Sequence, residues 1–235
     1  MFKKLFIGSL ILTFCLTGLT GTFAAEPTVK KTHTYYNNQE LDVFIPAKPG
    51  LKPVIFMAHN GGSNKDAWQD FPQQIATETN MVVVSINWNE FKITADLESA
   101  FNLVQQNYAD QIDLNRAAYI GGCHGGTKFA GLFAKTNTAF KFKTFVLLSL
   151  SEPTNAGVVA AMGKEHPPVL AYYTLKDRLG EKYQIATKKF AEEVLTQPKT
   201  VIALNYTPHG DELVANDATK VIVRTGIINW LKASF

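Results

Sequence analysis

The feature that most constrains this chain is an alternation of short apolar runs with amphipathic stretches. Residues 54–58, 81–86, 117–121, 145–150, 169–173 and 201–204 are runs rich in Val, Ile, Leu, Ala and aromatics. Continuous runs of that length suit strands buried on both faces. An earlier stretch, 41–45, reads as a strand ended by Pro46. Between the runs lie helical stripes. Ile93, Leu97, Ala100, Phe101, Val104 and Tyr108 recur at one helical face, as do Tyr183, Ala186, Phe190 and Val194. Ala218, Val221, Ile222, Thr225, Ile228 and Leu231 form a terminal stripe, and 127–134 reads as helix. Trp68, Phe71 and Ile75 mark a short helix whose start suits Pro72. The expected fold is α/β: a mainly parallel sheet with helices on both faces. In such sheets ligands sit beyond the carboxyl ends of the strands, so chemistry is sought just after each run.

The 235 residues are 46% hydrophobic and 18% charged, with no internal repeat or linker-like stretch. That suits one domain, assigned to residues 26–235. Residues 1–25 read differently. Lys3 and Lys4 precede a charge-free run from Leu5 to Ala25, and Thr22 and Ala24 have the −3/−1 spacing of a cleavage site. This is the pattern of a secretory signal peptide, and it predicts export to the periplasm or medium. The rival is a retained anchor, since the run is long enough to span a bilayer. Gly8, Ser9, Thr13, Thr17, Gly18, Thr20, Gly21 and Thr22 dilute its hydrophobicity, and no basic stop-transfer cluster follows. Without the two leader lysines, basic and acidic residues nearly balance and no basic patch stands out, which argues against nucleic acid. Of two cysteines, Cys15 leaves with the leader, so Cys123 has no disulfide partner within the chain. Such a thiol is inert core, intermolecular, or reactive.

Its surroundings favour reactivity. The run 117–121 enters Gly121-Gly122-Cys123-His124-Gly125-Gly126, the pattern G-x-S-x-G with cysteine for serine, between a strand and a helix. Such a turn strains the nucleophile's backbone, and flanking glycines let chain and helix pass close by. A helix N-terminus behind the sulfur also favours thiolate. The run 169–173 leads to Asp177, and 201–204 leads to His209. Nucleophile, acid, histidine is the chain order of a hydrolase triad on this kind of sheet. Glu152, which follows the run 145–150, competes with Asp177 as the acid.

On these motifs residues 35–235 resemble the α/β-hydrolase superfamily, and the cysteine elbow is most similar to the dienelactone hydrolase branch. The resemblance implies a Cys123–Asp177–His209 triad. It also implies an oxyanion hole from the backbone N–H of His124 and that of Gly61 (or Gly62) in His59-Asn60-Gly61-Gly62, where relatives carry an HG or HGGG loop. Two preset donors of this kind are worth about 3–4 kcal/mol each. His59 is expected to support that loop rather than catalyse. Dienelactone hydrolases are cytoplasmic, unlike a chain with an export leader, and usually have a larger residue where Gly122 stands.

The implied reaction is hydrolysis of an ester, lactone or thioester through an acyl-enzyme, with a small-molecule or acyl substrate as partner and no cofactor. No metal-ligand spacing, dinucleotide fingerprint or P-loop is present. Residues 151–167 leave no room for a large lid, which predicts an open, shallow site. The alternatives are a non-catalytic binding protein of the same fold, with Cys123 inert, and a thiol-redox role, which lacks a resolving cysteine. Oligomeric state is not legible.

Overall fold

The computed structural model describes residues 29–127, 139–151, 167–193 and 198–235. Eight strands form one sheet: β1 (Val29–Tyr36), β2 (Gln39–Pro46), β3 (Lys52–Ala58), β4 (Val82–Ile86), β5 (Ile112–Gly122), β6 (Phe142–Leu148), β7 (Val169–Thr174) and β8 (Lys199–Leu204). Their spatial order is β1-β2-β4-β3-β5-β6-β7-β8. Strands β3 to β8 run parallel, while β1 and β2 pair antiparallel at one edge. Helices lying wholly within the described residues are α1 (Phe71–Thr79), α2 (Ile93–Tyr108), α3 (Glu181–Glu193), α4 (Glu212–Ala215) and α5 (Lys220–Ser234), and residues 123–127 are also helical.

The continuous apolar runs follow from burial on both faces. Along β3, Val54, Phe56 and Ala58 join a core with Leu97, Phe101 and Val104 of α2 and Ala186 and Phe190 of α3. Ile55 and Met57 point the other way, into a core with Phe71 and Ile75 of α1 and Ile227 and Leu231 of α5. With both faces apolar, the period of two leaves no polar alternation to read.

Several boundaries differ from the sequence reading. Strand β6 spans 142–148 rather than 145–150. Ser149 takes a left-handed φ of 46°, and Leu150 turns its N–H to the Thr187 hydroxyl instead of a strand. Strand β5 begins at Ile112, five residues early, and its register with β3 jumps between Lys52 and Val54, at Pro53. Strand β1 was not anticipated. The turn joining it to β2 has left-handed Asn37 and Asn38, the two-residue hairpin geometry that asparagine tolerates.

Strand β3 lies between β4 and β5, so the chain leaves it first to one side and then to the other. That reversal opens a crevice at the carboxyl ends of β3 and β5.

Candidate active site

Register brings the motifs together. Ala58 pairs with Gly121 across β3 and β5, so 59–62 and 122–124 leave the sheet side by side. Thr174 pairs with Leu204 across β7 and β8. Beyond them, Leu175 N–H donates to the Leu204 carbonyl, Lys176 N–H to Tyr206 and Arg178 N–H to Thr207. These bonds place Asp177 opposite His209.

Asp177 Oδ2 is 2.8 Å from His209 Nδ1. The Leu179 N–H donates to its Oδ1 at 2.9 Å. The Thr174 hydroxyl donates to Oδ2 at 3.4 Å and, at 3.0 Å, to the carbonyl of Pro208 just before the histidine. A carboxylate on Nδ1 fixes the tautomer that leaves Nε2 free to take a proton. His209 is 1% exposed, Tyr183 packs edge-on at 4.3 Å between ring centroids, and Nε2 has no partner among the described residues. Glu152, the rival acid, lies outside the described residues.

Cys123 sits at the end of β5 with φ of 47°, a left-handed conformation costing a non-glycine residue about 1–2 kcal/mol. The Thr127 hydroxyl donates to its carbonyl and accepts the Ser151 N–H, tying the turn to the end of β6. Gly121 and Gly126 are needed because a side chain on either would collide with the other's backbone. The thiol is 4% exposed. Its sulfur lies 3.5 Å from His124 Nδ1 and accepts the backbone N–H groups of His124 and Gly61. No hydrogen bond joins it to His209 among those of the described residues. Burial pushes the thiol up to about 11, and the two N–H donors offset this only in part, while Asp211 and Asp177 add to it. The expected thiolate is therefore not the resting form; desolvation outweighs the helix terminus. Both reacting groups are almost fully covered. Residues 152–166, where a lid would be inserted, lie outside the described residues.

The loop after β3 is held from behind. His59 Nδ1 donates to the Asn60 carbonyl at 2.6 Å, its Nε2 accepts the Trp88 N–H at 3.3 Å, and the two rings stack at 4.9 Å. Burial pushes His59 down to about 4, so it is a neutral brace, as expected for a supporting residue. Asn60 and Asp211 bond reciprocally. Asn60 N–H donates to Asp211 Oδ2 at 2.8 Å and Asp211 N–H to Asn60 Oδ1 at 3.0 Å. Asn60 Nδ2 donates to the His209 carbonyl at 3.1 Å. Burial pushes the Asp211 carboxyl up to about 6, against the Asn60 N–H, which favours the charged form.

Asp211 and His59 pull stability in opposite directions. The folded state holds the extra Asp211 proton between 3.8, the ordinary value, and about 6, so that contribution falls as pH rises through this window. For His59 the unfolded state holds the extra proton between about 4 and 6.5, so that contribution rises with pH. In the wild type the two oppose each other. Asp211→Asn removes the first, so from pH 4 to 6.5 its stability should rise by about 2 kcal/mol more than that of the wild type. Urea unfolding of both proteins across that range checks it; parallel profiles would refute it.

Three features escaped the sequence reading. Glu90 Oε1 approaches His124 Nε2 at 3.8 Å. Arg178 binds Glu212, whose Oε2 accepts the His209 N–H. The Asn60–Asp211 pair is the third. Only the adjacency of Asp211 and Glu212 to His209 hinted at any of them. His33 lies on β1, bonded to Asp42, and His166 and the leader lie outside the described residues. Among the described residues, no three His, Cys, Asp or Glu side chains are placed to hold a metal ion. No described helix is long and apolar enough to cross a membrane.

A strained elbow after β5, a glycine loop after β3 and an acid–histidine pair after β7 and β8 define the α/β-hydrolase fold. Solved structures agree. Esterase LipW from Mycobacterium marinum matches with a TM-score of 0.69 and 17% identity, over 90% of this chain and 83% of that one. Esterase B from Lactobacillus rhamnosis matches at 0.68 and 12%, over 87% and 85%. Carboxyl esterase 2 from the fungus Tuber melanosporum matches at 0.67 and 13%, over 90% and 89%. No protein-family model and no curated protein matches the chain.

Proposed function

We propose that this chain is an exported hydrolase that cleaves ester, lactone or thioester bonds through an acyl-enzyme on Cys123, in the manner of the dienelactone hydrolases. One observation carries the reading. Two backbone N–H groups converge on the Cys123 sulfur, beside a buried imidazole whose Nδ1 is held by Asp177 and whose Nε2 has no partner among the described residues. That the structural neighbours are esterases supports the substrate class. The leader pattern of residues 1–25 supports export.

In the reaction, the substrate's carbonyl oxygen takes over the Gly61 and His124 N–H groups, and the sulfur turns toward His209. Nε2 accepts the thiol proton as sulfur bonds to the carbonyl carbon, and the two N–H groups hold the oxyanion. Collapse breaks the bond to the leaving group, which takes the proton from Nε2. Water, deprotonated by His209, attacks the thioester; a second collapse frees the acid and returns the proton to sulfur.

The test is hydrolysis of p-nitrophenyl acetate and butyrate by the mature chain, with intact mass read in the first seconds. Turnover with one acyl group on Cys123 is expected. The raised thiol pKa favours a second reading, a binding protein with an inert cysteine, and absence of turnover and of adduct would make that the better one.

A further inference from the structure

We propose that Asn60 and Asp211 are positioning residues that clamp the loop carrying the Gly61 donor to the loop carrying His209, so that oxyanion hole and general base keep one geometry. This rests on the hydrolase reading of the same site.

Two residues differ from the loop and elbow patterns of the resembled family. Asn60 interrupts the glycine loop after β3, and Gly122 stands where that branch carries a larger side chain. In the structure these are one feature. A side chain at Gly122 would collide with Asn60 Oδ1 and crowd the Asp211 N–H, and a side chain at Gly210 would overlap the same carboxamide. The Asn60 side chain therefore fills space that two glycines leave open, between the elbow and the histidine loop.

Every polar atom of Asn60 is engaged. The N–H and Oδ1 bond Asp211, and Nδ2 bonds the His209 carbonyl. The carbonyl accepts both His59 Nδ1 and the Ser63 N–H. That last pair matters for the donor. In a trans peptide the C=O and the next N–H point in opposite directions. Holding the Asn60 carbonyl on one side therefore aims the Gly61 N–H to the other, where the Cys123 sulfur accepts it. Asp211 fixes the same residue from its amide side, and its own main chain follows His209 by two positions. A displacement of either loop is transmitted to the other through three buried hydrogen bonds. Oxyanion stabilisation depends steeply on donor placement, so such a clamp acts on the chemical step more than on substrate capture.

The experiment compares Asn60→Ala, Asp211→Ala, the double mutant and Asp211→Asn with p-nitrophenyl acetate, alongside thermal melting. Each alanine variant is expected to lower kcat by about 10–100-fold with KM within about threefold. The double mutant should fall no more than about threefold below the worse single, because one clamp is removed only once. Asp211→Asn keeps an acceptor for the Asn60 N–H and should stay within about threefold of wild type. This conservative variant decides the matter even if an alanine variant does not fold: loss of kcat in Asp211→Asn comparable to that expected for alanine overturns the clamp. Losses that multiply, or that appear in KM alone, do the same while leaving the hydrolase standing. A wild type without turnover overturns the hydrolase reading and the clamp with it.

Discussion

On the proposed mechanism, Cys123→Ala is expected to lower turnover of p-nitrophenyl acetate by at least about a thousandfold, and His209→Ala to lower it by a similar factor. The two losses do not multiply in the double mutant, because nucleophile and base act as one unit in the same step. Residual activity in each variant comes from the Gly61 and His124 donors, which neither substitution touches. Asp177→Asn gives a smaller but still large loss. Its amide cannot play the acceptor part of the carboxylate on His209 Nδ1 in the same way, so the imidazole is held in the wrong tautomer. Folding is little affected by the cysteine change, since removing one small buried side chain at the mouth of the sheet leaves the two cores intact. Initial rates with each variant, normalised to folded protein by circular dichroism, check these outcomes. Activity of Cys123→Ala within tenfold of wild type would remove the cysteine from the mechanism.

The second large effect concerns the free thiol. With its pKa pushed up to about 11, Cys123 is thiolate in only about one molecule in ten thousand at pH 7, against a few per cent for an ordinary cysteine. Alkylation by iodoacetamide should therefore be about 300-fold slower than that of free cysteine at pH 7, rising about tenfold per pH unit up to pH 10. His209→Ala should leave this rate almost unchanged, because the sulfur's partners are His124 Nδ1 and the Gly61 and His124 N–H groups. A preformed thiolate–imidazolium pair would behave in the opposite way: fast alkylation, flat from about pH 6 to 8, and lost with His209. The measurement is the rate of label incorporation by intact mass across that range. Slow alkylation together with efficient ester turnover would show that the proton leaves sulfur only when a carbonyl displaces it from the two N–H donors.

Much of the fold was legible because the sheet is buried on both sides. The runs at 54–58 and 169–173 stand within two residues of their observed strands, since each reports a strand buried throughout, and 201–204 does so although β8 is a partly exposed edge strand. Strand β1 was not legible from hydrophobicity. Val29–Tyr36 is an edge strand paired on one side, with Lys30, Lys31, His33 and Thr34 along it. The signal was in its turn, where Asn37-Asn38 permits two successive left-handed residues.

The sequence by itself determined the strand–helix alternation, the strained turn at Cys123 and the chain order of Cys123, Asp177 and His209. Each is a local property: periodicity of burial, glycine spacing, or position after a strand. Tertiary structure alone decided which groups meet the sulfur and in what charge state. The Gly61 N–H reaches Cys123 because Ala58 is paired with Gly121, and Asn60 reaches Asp211 across 151 residues of chain. Burial of the thiol, a sum over many neighbours from distant segments, reversed the thiolate that the local helix terminus implied. Hydrogen bonds and desolvation depend on distances in space, and no pattern along one chain records them.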